Sequence, residues 1–200
     1  MIFHIVRNSL NFSLFQELIQ LCLHDNFGDT FYISSGFFQE KNNFYVSTHQ
    51  DTFQRSFTNN VNAKNQTINT QGVYNNMWMS QYNHFVNNLK LYGYTVNKFH
   101  SNRNHSKVFL CYKNKKPILE IIGSSNFTST AYGINHPKKY FNHEADLVIV
   151  LDTETDLINK VREILKFHKL DAKVMYLDYS KENKVELLEQ MEEIKNMIFK

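Results

Sequence analysis

Two short apolar runs, separated by a polar turn, constrain this chain more than any other feature. The runs are Val108–Cys111 and Ile118–Ile122, and their length and spacing are typical of a β-hairpin. His105 and Lys107 precede the first run, and Gly-Ser-Ser-Asn-Phe-Thr at 123–128 follows the second. Because hairpin strands are antiparallel, these two polar ends lie side by side. The sequence therefore predicts one small site that combines an imidazole, an ammonium, a hydroxyl and an amide, which suit holding and attacking a phosphate.

The rest of the chain alternates between strand and helix patterns. Strands are predicted at 31–38, 94–100, 143–151 and 173–177, and helices at 13–22, 78–92, 155–169 and 184–199. Residues 1–6 fit either a strand or a loosely held segment, a helix is predicted to begin within 125–130, and 40–77 gives no clear pattern. This order predicts an α/β fold, a mixed sheet flanked by helices, with a short C-terminal helical extension. We place the main domain at 1–152 and the α-rich extension, packed on it, at 153–200.

Charge is distributed unevenly along the chain. Residues 52–143 carry 11 Lys or Arg residues and a single acid, Glu120, for a net charge of +10, whereas the whole chain is only +3. A solvated basic face is the ordinary explanation of such a run. Here the run contains the predicted phosphate site, so we favour a polyanionic partner, with nucleic acid first.

The two cysteines, Cys22 and Cys111, stand far apart in the sequence and outside any CxxC pair. This favours buried thiols in a reducing compartment over a zinc site. The first residues lack the features of a signal peptide, and no apolar run reaches membrane-spanning length. We expect a cytoplasmic protein with no membrane partner.

His105-x-Lys107, then Gly123-Ser124-x-Asn126, then an acid at Glu144 before the next strand, resembles the phospholipase D superfamily. The resemblance is closest to its single-motif, metal-independent, restriction-endonuclease-like nucleases. It covers about 31–151, and it implies a phospholipase D-like fold for the main domain. The chain departs from the pattern in two respects: Tyr112 stands where the superfamily commonly has an Asp, and Glu144 lies further from Asn126 than the pattern leads us to expect. The nuclease branch often lacks that Asp, which favours nucleases over lipid enzymes.

The resemblance implies a role for each matching residue. His105 attacks the phosphorus and forms a phosphohistidine, while Lys107, Ser124 and Asn126 hold the non-bridging oxygens. Glu144 orients the histidine, and Asp146, two residues on, is the alternative for that role. A second histidine protonates the leaving oxygen and later activates water. The scheme needs no metal and no cofactor.

A chain with one motif supplies half of the paired site found in the superfamily, so the resemblance implies a homodimer with a shared site. The function expected is metal-independent hydrolysis of DNA phosphodiester bonds, with a restriction-type endonuclease as one form of it. Two alternatives stay open: a phospholipase or phosphatidyl transferase of the same superfamily, and a catalytically inactive nucleic-acid-binding dimer. Sequence specificity and the choice between DNA and RNA are left undecided. Ser35 and Gly36, which interrupt the predicted strand at 31–38, fit a site rim and an ordinary tight turn equally well.

Overall fold

The computed structural model describes residues 1–7, 14–39, 56–72, 78–100, 104–128, 131, 144–167, 172–177, 191–192, 195–196 and 199. In chain order the regular elements are β1 (Ile2–Arg7), α1 (Leu14–His24), β2 (Thr30–Ser34), β3 (Phe38–Gln39), β4 (Thr67–Gly72), α2 (Met79–Leu91), β5 (Thr95–His100), β6 (Val108–Lys113), β7 (Lys116–Gly123), β8 (Phe127–Thr128), β9 (Ala145–Val150), α3 (Thr155–Phe167) and β10 (Ala172–Leu177).

The predicted hairpin is present as β6 and β7. Its strands pair antiparallel from Val108 opposite Ile122 to Lys113 opposite Lys116. The two residues between the strands, Asn114 and Lys115, have φ angles of 52° and 66°. Positive φ at both central residues is the mark of a type I′ turn, whose twist matches that of the flanking strands. The hairpin therefore has a sharp turn at one end, and its His/Lys and Ser/Asn residues at the other.

The hairpin lies in the middle of an eight-stranded mixed sheet. The strand order is β10-β1-β9-β7-β6-β2-β4-β5. The β2, β4 and β5 strands run parallel to one another, and the remaining pairs in the sheet are antiparallel. A second, two-stranded ribbon joins β3 to β8 in parallel. The α/β fold with a mixed sheet and flanking helices is confirmed.

The two faces of the sheet are covered differently. Residues that alternate along the strands, among them Phe31, Phe109 and Leu119, form one apolar cluster with the buried residues of α1, α2 and α3. Their neighbours, such as Leu110, point to the other face and form a smaller cluster with Met191 from the C-terminal segment. This alternation is the period-2 pattern of strands buried on both sides.

Most predicted elements are found within one to three residues of their expected bounds, and the N-terminal segment is the strand β1. The helix start predicted within 125–130 is wrong at Phe127 and Thr128, which form β8 against β3. The reason is packing: the Phe127 ring is fully buried and lies 5.8 Å from Phe38 and 6.2 Å from Phe85. Burying that ring beside β3 requires extended backbone, which overrides local helix signals.

The predicted C-terminal extension is partly described. Its strand β10 pairs with β1 at the edge of the main sheet, and its first helix is α3. Most of the predicted helix over 184–199 lies outside the described residues, as does more than half of 40–77. The division into 1–152 and 153–200 stays a prediction.

Candidate active site

Four neighbouring strands, β2, β6, β7 and β9, have an end on the same side of the sheet, and the residues singled out by the sequence lie there. In cross-strand register, Ser34 at the end of β2 pairs with Val108 at the start of β6, and Val108 pairs with Ile122 near the end of β7. Gly123 pairs with Asp146 in β9. The Gly123 N–H donates to the Lys107 carbonyl at 3.3 Å. The polar ends of the hairpin therefore lie side by side, as predicted.

His105 and Lys107 form a contact pair just before β6. The Lys107 ammonium lies 3.2 Å from His105 Nδ1 and donates to the His105 carbonyl at 2.9 Å. The imidazole is exposed, whereas Lys107 is partly buried. A lysine held by a backbone carbonyl is fixed in position, and it places its charge beside the imidazole.

The surroundings favour a neutral histidine. Partial burial and, after it, the Lys107 ammonium lower the pKa of His105 below its usual 6.5. Burial also lowers the pKa of Lys107, while the Glu144 carboxylate opposes that effect. A neutral imidazole has an unprotonated nitrogen at neutral pH, which nucleophilic attack requires.

Ser124 and Glu144 are joined directly. The Ser124 hydroxyl donates a short hydrogen bond to Glu144 Oε2 and accepts one from the Ala145 N–H at 2.9 Å. Glu144 is buried, and its carboxylate is close enough to Lys107 to affect the pKa of that lysine. Lys107, Glu144 and Ser124 are thus linked across the hairpin and the start of β9.

Asp146 occupies a different position from Glu144. Both of its carboxylate oxygens bind Ser125: Oδ1 accepts from the Ser125 N–H at 3.2 Å and Oδ2 from the Ser125 hydroxyl at 2.6 Å. A side chain at Gly123 would have its Cβ 2.2 Å from Asp146 Oδ1, so this close approach requires glycine. Burial raises the pKa of Asp146, although the Ser125 donors oppose the rise. Asp146 fixes the turn that presents Ser124 and Asn126.

Asn126 is held from the other side by Ser35. The Ser35 hydroxyl donates to the Phe37 carbonyl at 2.6 Å, accepts from the Phe127 N–H at 3.2 Å and lies 3.3 Å from Asn126 Oδ1. Ser35 is fully buried. With its amide oxygen next to this hydroxyl, Asn126 can offer its amide N–H groups to an acceptor such as a phosphate oxygen.

Gly36 lies against the histidine. A Cβ built at Gly36 would lie 2.8 Å from His105 Cδ2, which is closer than real Cβ contacts. At the end of β2, the Ser34 and Ser106 hydroxyls are 2.7 Å apart, and the Asn104 amide donates to Ser34 at 2.7 Å. Gly36 therefore contacts the imidazole, and Ser34 contacts the residues that precede β6.

Ser35 and Gly36 are the site residues that sequence reasoning left undecided. The signal that favours them is a pair of serines and a glycine directly after a buried strand, which is common at site rims in α/β folds. That pattern alone equally fits a tight turn. Only the pairing of β2 with β6 shows that the turn lies against His105.

Several predicted features fall elsewhere or outside the described residues. Tyr112 lies near the hairpin turn, away from His105, and donates to Glu192 Oε1 at 3.1 Å. Within the +10 segment, Lys113, Lys115 and Lys116 are exposed at that same far end. Other cations and histidines of the segment lie outside the described residues: Arg55, Arg103, His136, Lys138, Lys139 and His143.

The described residues also bear on metals, membranes and thiols. No group of three His, Cys, Asp or Glu side chains in the described ranges is arranged to hold a metal ion. None of the helices in the described part of the chain is long and apolar enough to cross a membrane. Cys22 and Cys111 are both buried and free, as expected.

Comparisons with known proteins place few limits on this chain. No protein-family model matches it, and no curated protein does. Among solved structures, it is similar to yeast tyrosyl-DNA phosphodiesterase, at 16% identity and a TM-score of 0.38, over 86% of this chain and 42% of that one. A variant of the same yeast enzyme matches at 14% identity and a TM-score of 0.36, over 86% of this chain and 41% of that chain. The chain therefore spans less than half the length of these enzymes.

Proposed function

We propose that this protein is a metal-independent nuclease of the phospholipase D superfamily, which hydrolyses DNA phosphodiester bonds through a phosphohistidine on His105. The observation that carries the proposal is the meeting of His105 and Lys107 with the Ser124–Glu144 pair and Asn126 at one edge of the sheet. The group combines a neutral nucleophile, one partly buried cation and neutral donors. These are the requirements for attack on a phosphodiester without a metal.

The first step is attack by His105 on phosphorus. In the free protein the Lys107 ammonium lies against His105 Nδ1, so the lone pair of that nitrogen is occupied. A bound phosphate attracts the ammonium to its non-bridging oxygens and so releases the imidazole. The nitrogen–phosphorus bond forms as the phosphorus–oxygen bond to the leaving alcohol breaks. Lys107, Ser124 and Asn126 stabilise the charge that develops on the phosphate oxygens.

The second step returns the enzyme to its starting state. Water attacks the phosphohistidine, the nitrogen–phosphorus bond breaks, and a phosphate monoester leaves. A proton must reach the leaving alcohol in the first step and be removed from water in the second. We assign both transfers to the His105 of a second copy, in a homodimer with a shared site. Glu144, which lies in the same group, would orient the nucleophilic histidine.

The test is cleavage of DNA in EDTA, with a plasmid and a single-stranded circular DNA as the two substrates. The wild-type protein should cut without metal, and His105→Ala should lose about 10⁴-fold or more in rate while still binding DNA, because it removes the nucleophile alone. His24→Ala is a matched control, since His24 binds the Ser56 carbonyl at 2.9 Å, away from the strand ends of the site. Cleavage by His105→Ala at the wild-type rate would show the mechanism to be wrong.

A mixing experiment tests the shared site. If both copies of His105 serve one reaction, a dimer with one His105→Ala subunit is inactive. An equal mixture after subunit exchange should then show about half the activity that independent subunits would give, since only homodimers of the wild type turn over. Activity proportional to the amount of wild-type protein would exclude a shared site, although it would leave the role of His105 intact.

A further inference from the structure

An aromatic pair stands beside the candidate nucleophile. The Phe37 ring lies edge-to-face with the His105 imidazole, with centroids 5.6 Å apart and planes at 87°. It also lies edge-to-face with the indole of Trp78, at 4.9 Å and 78°. Phe37 follows Ser35 and Gly36 in the segment that contacts His105, and Trp78 directly precedes α2. Two distant parts of the chain thus bring two large rings to the edge of the site.

Phe37 differs from its neighbour Phe38 in burial and in surroundings. Phe38 is 1% exposed and stacks on Tyr82 and Phe85 in the main cluster. Phe37 is only half-buried, as is Trp78. The core is therefore filled by Phe38, and the ring next to it is directed towards the site.

A half-buried aromatic ring next to a phosphate site has an obvious complement in a nucleotide. The base attached to a bound phosphodiester lies a few ångströms from the phosphorus, which is similar to the 5.6 Å between the His105 and Phe37 rings. Aromatic side chains stack on bases of any identity, because every base has a π-face. In a duplex those faces are covered by neighbouring base pairs, so a base must be unpaired or flipped to stack on a side chain.

We infer that Phe37, supported edge-to-face by Trp78, forms a stacking platform for an unpaired base next to the scissile phosphate, and that the site therefore acts on single-stranded DNA. The inference rests on the proposed function and narrows its substrate to unpaired strands. Lys107 and Asn126 hold the phosphate, and the aromatic pair selects the state of the strand that carries it.

The protein contains its own reporter, because Trp78 is the only tryptophan in the chain. Titration in EDTA with single-stranded oligothymidylate should quench its fluorescence, and a duplex of equal length should leave it nearly unchanged. The titration is made with full-length His105→Asn, so that cleavage does not remove the probe. Equal quenching by the duplex, or none by the single strand, would overturn the inference.

Variants of Phe37 separate stacking from folding. Phe37→Leu should weaken oligothymidylate binding about 10-fold, whereas Phe37→Tyr, which keeps the ring, should bind as the unsubstituted protein does. Phe167→Leu, at a site 82% exposed on α3, is the matched control and should bind normally. Thermal melting of all three shows whether a loss comes from unfolding. Equal binding by Phe37→Leu and Phe37→Tyr would refute the platform.

The binding measurements do not depend on cleavage, so the platform and the nuclease proposal can fail separately. If neither plasmid nor single-stranded circular DNA is cleaved but the single strand quenches Trp78, the nuclease proposal fails and the platform stands. If the protein cuts DNA but Phe37→Leu binds and cuts both strand forms as the wild type does, the nuclease proposal stands and the platform fails.

Discussion

The hairpin of β6 and β7 has lysines at both ends, and the two ends differ in what surrounds the charge. At one end Lys107 is partly buried, bonded to the His105 carbonyl and electrostatically coupled to Glu144. At the other end, about 20 Å away along a six-residue strand, Lys113, Lys115 and Lys116 are exposed. A fixed and partly desolvated charge acts on a phosphate far more strongly than a hydrated, mobile one. Position within the fold, rather than the count of charges, therefore decides which lysine serves the site.

The largest expected effect is on the cleavage rate, when one lysine from each end of the hairpin is replaced in turn. Lys107→Met should reduce metal-free DNA cleavage by about 10³-fold, because it removes a positioned charge from the transition state. Lys116→Met should change the rate by less than about 2-fold at physiological salt, since an exposed charge more than a Debye length away is screened. Initial rates in EDTA, on plasmid and on single-stranded circular DNA, measure both. Similar losses in the two variants would show that the site depends on overall charge and not on position.

A smaller effect, on the pH dependence of stability, is expected from Glu120, which lies midway between the two ends of the hairpin. This residue is fully buried on β7, no hydrogen-bond partner of its carboxylate is found among the described residues, and burial raises its pKa to about 8. Tyr112, which donates to Glu192, lies on the same face and is electrostatically coupled to Glu120. Because the folded protein keeps a proton that the unfolded chain releases above its usual 4.5, this contribution is present in acid and lost as pH rises through about 8.

The free energy of unfolding should consequently fall by about 3 kcal/mol between about pH 5 and about pH 8 because of Glu120. Glu120→Gln should remove this part of the pH dependence, and urea unfolding at a series of pH values measures it. Glu163→Gln, at a residue 69% exposed in a surface ion pair, is the control and should retain the slope. An unchanged slope in Glu120→Gln would mean that Glu120 has a normal pKa in the folded protein.

The smallest effect is a change in stability, and it is expected at the turn between β6 and β7. Lys115 has a φ of 66°, which costs a residue with a side chain more than it costs glycine. Lys115→Gly should stabilise the protein by about 1 kcal/mol without changing cleavage, since the turn is remote from His105. Lys116→Gly is the matched control: Lys116 begins β7, has no positive φ, and should lose stability instead. Thermal melting distinguishes the two, and destabilisation by Lys115→Gly would contradict a type I′ turn.

Much of the candidate site could be predicted because its residues are close in sequence. His105, Lys107, Ser124 and Asn126 all flank one hairpin, and a hairpin's register is set by its own turn and apolar pattern. The contribution of Glu144 is linked to that unit through β9, the next strand to pair with β7. The role of each residue in catalysis remains a proposal, but their proximity follows from local rules.

Contacts between distant segments were beyond such rules. Ser35 and Gly36 reach the site because β2 pairs with β6, some 70 residues later in the chain. The same is true of the contact between Phe37 and Trp78. The mistaken helix at Phe127 has the same origin, since a partner strand and a buried ring outweighed a helix signal read from neighbouring residues.

By itself, then, the sequence determined the hairpin, the alternation of strands and helices, and the residues gathered at the open end of the hairpin. Each of these depends on periodicity or turn chemistry within a few residues. Only the tertiary structure decided that Ser35 and Gly36 lie at the site, which acid bonds to Ser124 and which to Ser125, and which rings stand beside His105. Those features depend on the order in which distant strands pair, and that order is set by burying the apolar side chains on both faces of the sheet.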